Sequence, residues 1–177
     1  MRKLKLQELN RLSIEEFKAK QKTPIVLVLD NIRSGLNVGS AFRTADAFAL
    51  EKLYLCGITA QPPHREILKT AIGATDSMNW EYMKDTEAAV NHLKSEGYYI
   101  VAVEQAEGST MLQDFSLPFG SKMAIVFGNE VNGVSQGVMD QVHECVEVPQ
   151  FGTKHSLNIS VCIGVIVWEL FKKLKLF

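Results

Sequence analysis

Three short stretches of this 177-residue chain carry side chains whose types and spacing suit polar chemistry. The first is LDNIRSGLNVGSAFRTADAF, which leaves a strand at Asp30 and passes through a glycine-containing loop into a helix. At about 100° per residue, Val38, Ala41, Phe42, Ala45, Phe48 and Ala49 fall on one face, while Gly39, Ser40, Arg43 and Asp46 lie opposite. Arg43 therefore projects away from the core. Gly39, one turn earlier, is expected to leave open space in which a ligand or a partner chain approaches the guanidinium. An ordinary solvated arginine is the other reading of the same pattern.

The second stretch, AIVFGNEVNGVS, puts Gly128, Asn129 and Glu130 where a buried strand ends. Ligands of open α/β sheets bind beyond the carboxyl ends of the strands, and a residue without a Cβ lets a ligand touch backbone there. Simple turn chemistry also accounts for Asn-Glu and Asn-Gly. The third, VEVPQFGTKHSLNISVCIGVIVWEL, runs from a strand through a Pro/Gly loop into a helix expected to start near Ser156. Its side chains are apolar almost all round, so it must be buried within the domain or against another subunit. Ser156 and Asn158 stand where free backbone N–H groups can hold a polar ligand, or where Ser156 is merely the N-cap. Gly35-xxx-Gly39 matches neither GxGxxG nor a P-loop, which argues against dinucleotide and nucleoside-triphosphate binding.

These stretches need strands and helices to bring them together. The chain reads as α/β, a mostly parallel sheet with helices on both faces. PIVLVLD, KLYLCGI, YYIVAVE, MAIVFG and CVEVP are nearly continuous apolar runs, as expected of strands covered on both sides. Asp85 to Glu96 reads as a helix stopped by Gly97. At 46% hydrophobic and 22% charged residues, the chain has the composition of one globular unit rather than a disordered or fibrous one. A net charge of -1 excludes a strongly basic nucleic-acid coat but permits a local basic face.

Residues 1–22 form such a local feature, with seven Lys or Arg against three Glu, and Ser13 with Glu16 forms a capping-box pattern. The division expected is a basic helical extension over 1–22 and a main domain over 23–177. The extension is either a solvated terminal helix or an RNA-contacting arm. Cys56, Cys145 and Cys162 are scattered, without a metal-binding or disulfide spacing, which favours a reducing, cytoplasmic setting. His143, Glu144 and Cys145 alternate across a strand, so no shared metal is expected. No apolar run approaches the ~20 residues of a membrane span, and the basic N-terminus lacks the apolar core of a secretory signal.

Taken in order, the three stretches resemble the SpoU/TrmH family of SPOUT methyltransferases. The matching residues are Asn37, Gly39, Arg43, Thr44 and Ala45; Gly128, Asn129, Glu130 and Gly133; and Pro149, Gly152, Ser156, Leu157 and Asn158. The resemblance spans about residues 23 to 170 and departs from the family at Gln150, where methionine is frequent, and at the variable Val131.

It implies a SPOUT-type α/β knot, a C-terminal trefoil that periodicity alone could not suggest, and a homodimer. It also implies methyl transfer from S-adenosylmethionine to a ribose 2'-OH of tRNA or rRNA, with tRNA favoured by the lack of a sizeable N-terminal substrate domain. Cofactor contacts are expected at Val103, Gly128, Val148 and Leu157, and catalytic roles at Arg43, Asn37, Glu130, Ser156 and Asn158, with Arg43 supplied by the neighbouring subunit. A guanidinium gives up its proton too reluctantly to be a good base, so stabilising a developing alkoxide suits it better. RNA phosphates are expected at Arg33, Lys154, His155, Arg65, Lys69 and the basic arm. A catalytically silent RNA-binding protein on the same fold is the alternative, and the intact Arg43, Glu130 and Asn158 argue against it.

Overall fold

The structure is a computed structural model, and it describes residues 1–117, 120 and 122–174. The last three residues of the expected main domain lie outside the described residues. Each apolar run anticipated from the sequence is an extended strand, because β-branched and aromatic side chains fit a pleat covered on both faces. They are β1 (Thr23–Asp30), β2 (Leu50–Cys56), β4 (Tyr98–Val103), β6 (Lys122–Phe127) and β7 (Glu144–Glu147). Two short strands, β3 (Trp80–Met83) and β5 (Thr110–Met111), add edges that the sequence pattern did not reveal. Among the described residues the sheet runs β3-β2-β1-β6-β4-β7-β5, with every pair parallel.

The alternating side chains of β1 show why both faces must be covered. Ile25, Leu27 and Leu29 point into one core; Val26 and Val28 point into the other. The first core is closed by α2 (Gly35–Ala47), α3 (Arg65–Ala71), α4 (Ala74–Ser77) and α7 (Ile159–Leu174). The second is closed by α5 (Thr86–Ser95) and α6 (Gln136–Met139). Asp85 caps α5 by accepting the Glu87 N–H at 3.0 Å, and Gly97 follows its end with φ +83°, as the sequence signals implied.

In the N-terminal segment, the Ser13/Glu16 capping box opens α1 (Ile14–Ala19), whose Phe17 packs against the first core. No helix among the described residues is long and apolar enough to cross a membrane.

Three local readings change. Helix α2 ends at Ala47, and Ala49, at φ +49°, turns the chain into β2 instead of extending the apolar face of the helix. Helix α7 begins at Ile159 rather than near Ser156: Asn158 caps it, its Oδ1 accepting the Ser160 N–H at 2.9 Å.

Gly39 is buried, and the space beside it is filled by α3 rather than left for a ligand. A Cβ there would overlap the Ile67 carbonyl oxygen and Thr70 Oγ1. The missing side chain thus sets how closely α2 and α3 pack. Gly39→Ala is expected to destabilise the fold by about 1–3 kcal/mol through overpacking, despite the better helix propensity of alanine. Urea unfolding of the two proteins measures it, and an equal or more stable variant contradicts the packing.

Candidate functional site

A cavity of 490 Å³ opens at the carboxyl ends of β4, β6 and β7. It is built from three chain segments: Val103 to Gln105, Phe127 to Gly133, and Val146 to Cys162. All four residues expected to contact a cofactor, Val103, Gly128, Val148 and Leu157, line it, together with Glu130, Ser156 and Asn158. A cleft of this size at strand ends falls in the usual range for small-molecule sites.

Gly128 is needed for a second reason besides ligand access. The chain folds back on itself there, and a Cβ would overlap the backbone of Gly133 and Val134. Asn129 holds this turn. Its Oδ1 accepts the Val131 and Asn132 N–H groups at 2.9 and 3.1 Å, and its Nδ2 donates to the Asn31 carbonyl at 2.7 Å. The glycine and asparagine together aim Glu130 back towards the start of α2.

Glu130 is where the motifs meet. Its Oε2 accepts the Arg33 N–H at 2.9 Å, and its Oε1 accepts the Ser34 N–H and Asn37 Nδ2, both at 3.1 Å. Asn158 Nδ2 in turn donates to Asn37 Oδ1 at 3.3 Å. One run of hydrogen bonds, Asn158 to Asn37 to Glu130, therefore joins all three stretches singled out in the sequence. Asn37 lies behind the cavity rather than in its wall, so it acts through Glu130 and Asn158. Burial pushes the Glu130 carboxyl upward, but the N–H groups of Arg33, of Glu130 itself and of Ser34, with the Asn37 amide, outweigh it and hold the pKa below the ordinary 4.5.

Two further carboxylates, Glu104 and Glu147, line the cavity, and among the described residues no lysine or arginine does. Glu104 accepts the Gln105 and Val134 N–H groups at 2.8 and 3.1 Å, and Glu147 accepts the Ser109 hydroxyl at 2.9 Å. Glu147 was not singled out from sequence, whereas Glu104 stands beside Val103 in the strand-end segment expected at the cofactor. The wall therefore favours a cationic ligand over a polyphosphate. Cys162 also faces the cavity; burial, and then the charge of Glu104, push its thiol up to about 11, so at neutral pH it is not a thiolate nucleophile.

Arg43 is elsewhere. It lines a separate cavity of 470 Å³ with Ser40, Thr44, Ala47, Phe48, Lys69, Thr70 and Gly164. Within one chain, then, four of the five residues expected to be catalytic are joined around the first cavity and the fifth is not. Of the expected RNA contacts, His155 lines the first cavity and Lys69 the second, and Arg33, Arg65 and Lys154 are exposed. His143 uses Nδ1 to accept the Ile100 N–H at 2.9 Å and stacks on Tyr99, which is a packing role. Among the described residues no group of three or more His, Cys, Asp or Glu is placed to hold a metal.

The Glu130 geometry has a pH signature. A carboxyl whose folded pKa is lowered adds stability that is complete above its unfolded value of about 4.5 and is lost as pH falls through the folded one. Glu130→Gln is expected to cost about 1 kcal/mol at neutral pH, from weakened hydrogen bonds to a charged acceptor. The gap from wild type should close under acid conditions in urea titrations; a gap independent of pH contradicts the assignment.

The sequence profile described as the SpoU rRNA Methylase family matches residues 24–168. The chain is 28% identical over 151 residues to the tRNA (guanosine(18)-2'-O)-methyltransferase of Borreliella burgdorferi, covering 85% of this chain and 67% of the relative. It is 25% identical over 162 residues to the 23S rRNA (guanosine-2'-O-)-methyltransferase RlmB of Vibrio vulnificus, covering 92% and 64%. The chain thus spans about two thirds of the length of these curated relatives. Among solved structures, it superposes on the A. aeolicus TrmH/SpoU tRNA modifying enzyme with a TM-score of 0.79 at 21% identity, covering 90% of this chain and 81% of the other. It superposes on the AdoMet-bound rRNA methyltransferase of Sinorhizobium meliloti with a TM-score of 0.78 at 24% identity, covering 89% and 59%, a likeness of fold. With the profile running through all three motifs and nearly the whole sheet, the chain belongs to the SpoU rRNA Methylase family.

Proposed function

We propose that this protein methylates a ribose 2'-hydroxyl of RNA, using S-adenosylmethionine as donor. The observation that carries the reading is the cavity at the ends of β4, β6 and β7, where three distant chain segments meet in a wall rich in carboxylates and, among the described residues, free of lysine and arginine. The residues present fit the cofactor. Val103, Val148 and Leu157 offer apolar surface and backbone, Gly128 removes the Cβ that would crowd it, and Glu104, Glu130 and Glu147 suit its positive charges. When bound, it supplies an electrophilic methyl group on a sulfonium. A nicotinamide dinucleotide fits poorly, since among the described residues no lysine or arginine lines the wall to neutralise a pyrophosphate.

In this reading Glu130, Asn37 and Asn158 hold the start of α2 against the start of α7 and so fix the cavity rim on which Ser156 stands. Positioning of this kind provides much of the acceleration of a two-substrate reaction. The Arg43 guanidinium stabilises negative charge as it develops on the ribose oxygen. Because Arg43 lines its own cavity, a second copy of the chain brings it to the reacting atoms. The homodimer is supported by apolar side chains left exposed on neighbouring helices: Val161 (53%) and Val165 (38%) on α7, and Leu36 (39%) on α2. The SPOUT knot belongs to the same reading. So does a tRNA rather than an rRNA substrate, in line with the tRNA acceptor named for the B. burgdorferi relative.

The test is transfer of labelled methyl from S-adenosylmethionine to unfractionated tRNA and rRNA, with digestion to nucleosides to locate the label on the 2'-oxygen. Arg43→Ala should lower transfer by a factor of about 10² or more while cofactor affinity by calorimetry stays near wild type. Loss of cofactor binding in that variant, or wild-type protein that labels neither RNA, overturns the reading. Val161→Glu places a charge on the exposed α7 face outside the cavity. It is expected to yield monomers in light scattering, with cofactor affinity kept and transfer lost; a fully active monomer rules out the shared site.

A further inference from the structure

The second cavity, around Arg43, has features that the proposed reaction does not account for. Two cations, Arg43 and Lys69, line it, and among the described residues no carboxylate does. Two lysines elsewhere show the contrast, being neutralised at short range: Lys52 by Glu81 at 2.6 Å and Lys172 by Glu169 at 2.5 Å. Neither the Arg43 guanidinium nor the Lys69 ammonium has a hydrogen-bond or ion-pair partner among the described residues.

The cations share this cavity because of the Gly39 packing. With no Cβ on Gly39, the Ile67 carbonyl and Thr70 lie directly against α2, which sets Lys69 and Thr70 beside Ser40 and Arg43. Two of the hydroxyls are already engaged. Ser40 Oγ and Thr70 Oγ1 each donate to the Leu36 carbonyl at 2.9 Å, so both protons are committed and their oxygens offer only lone pairs. The donors that face an incoming group are the two cations and the Thr44 hydroxyl. Two like charges in one cavity repel, and a single anion between them turns that cost into attraction.

We propose that this cavity is a phosphodiester subsite, in which Lys69 holds the RNA linkage on the 3' side of the ribose being modified. The inference rests on the 2'-O-methylation reading. On any ribose the 2'-oxygen and the 3'-phosphate are carried by adjacent carbons, so a group that has Arg43 at the 2'-oxygen necessarily presents its 3'-phosphate close by. Lys69 is the cation placed to meet it. A lysine serves this purpose as a point charge, without the fixed fork of an arginine. Lys69 is thus a positioning residue that sets the register of the strand, and Arg43 acts on the reacting oxygen.

The experiment compares wild type, Lys69→Gln, Lys69→Arg and Lys122→Gln, each as the full chain. Lys122 begins β6, lines neither cavity and lies over the Tyr98 ring, so its variant controls for net charge. Binding of unfractionated tRNA and rRNA is measured over a range of salt, and methyl transfer over a range of RNA. Lys69→Gln is expected to weaken RNA binding about fivefold at 0.1 M salt and to reduce the slope of log affinity against log salt by about 0.7, the share of one phosphate contact. KM for RNA should rise by the same factor, with kcat and cofactor affinity within about twofold of wild type. Lys69→Arg should restore the slope, and Lys122→Gln should match wild type.

An unchanged slope and KM in Lys69→Gln overturns the subsite while leaving the methyltransferase reading intact. A fall in kcat with an unchanged slope likewise overturns it in favour of a packing role. Wild-type protein that binds RNA with the Lys69-dependent slope but transfers no methyl group overturns the methyltransferase reading and leaves the phosphate contact standing.

Discussion

The carboxylate of Glu130 accepts hydrogen bonds from the backbone at the start of α2 and from Asn37, which is itself bonded to Asn158 at the start of α7. These groups lie more than ninety residues apart in sequence along the Glu130 to Asn37 link and more than a hundred along the Asn37 to Asn158 link. A negative charge at the start of a helix is favoured by the helix dipole and by N–H groups that lack intrahelical partners. The network can therefore meet the needs of α2 and shape the cavity at once. Without it the three strand-end loops would share a neighbourhood but no fixed relation.

The parallel sheet is the other constraint. Every strand pair runs the same way, so all the strand ends that carry polar loops emerge on one side. Both faces are then taken up by helices, and variation in chemistry is confined to the loops. Gly128 and Gly39 have the same physical role at different places: each lets backbone approach where a Cβ would not fit, one folding a loop back on itself and the other seating α3 on α2. The consequence is two cavities of opposite character. One is walled by carboxylates and suits a cation; the other presents two unpaired cations and suits an anion.

Much of the framework was legible in the chain. The five apolar runs became strands because their β-branched and aromatic side chains suit an extended backbone that pairs with neighbouring strands, and Asp85, Ser13 and Glu16 marked helix starts through local hydrogen bonds and Gly97 a helix end through its positive φ. The edge strands were not legible. Trp80–Met83 and Thr110–Met111 are short, half-exposed and of mixed polarity, and they extend only because a neighbour offers its edge. Leu157, Val148 and the segment at Val103 and Glu104 were placed at the cofactor by motif resemblance, whereas Glu147 emerged only from the assembled wall.

The sequence by itself determined the class of fold, the strands that build it, and the polar residues at their ends, because hydrophobic pattern and turn chemistry act over a few residues. Tertiary structure alone decided what those residues touch. It closed the space expected beside Gly39 by seating α3 there, moved the start of α7 from Ser156 to the Asn158 cap, and set Arg43 in a cavity of its own with Lys69. The physical reason is that such contacts depend on how whole helices pack against the sheet, which no local pattern of residues encodes.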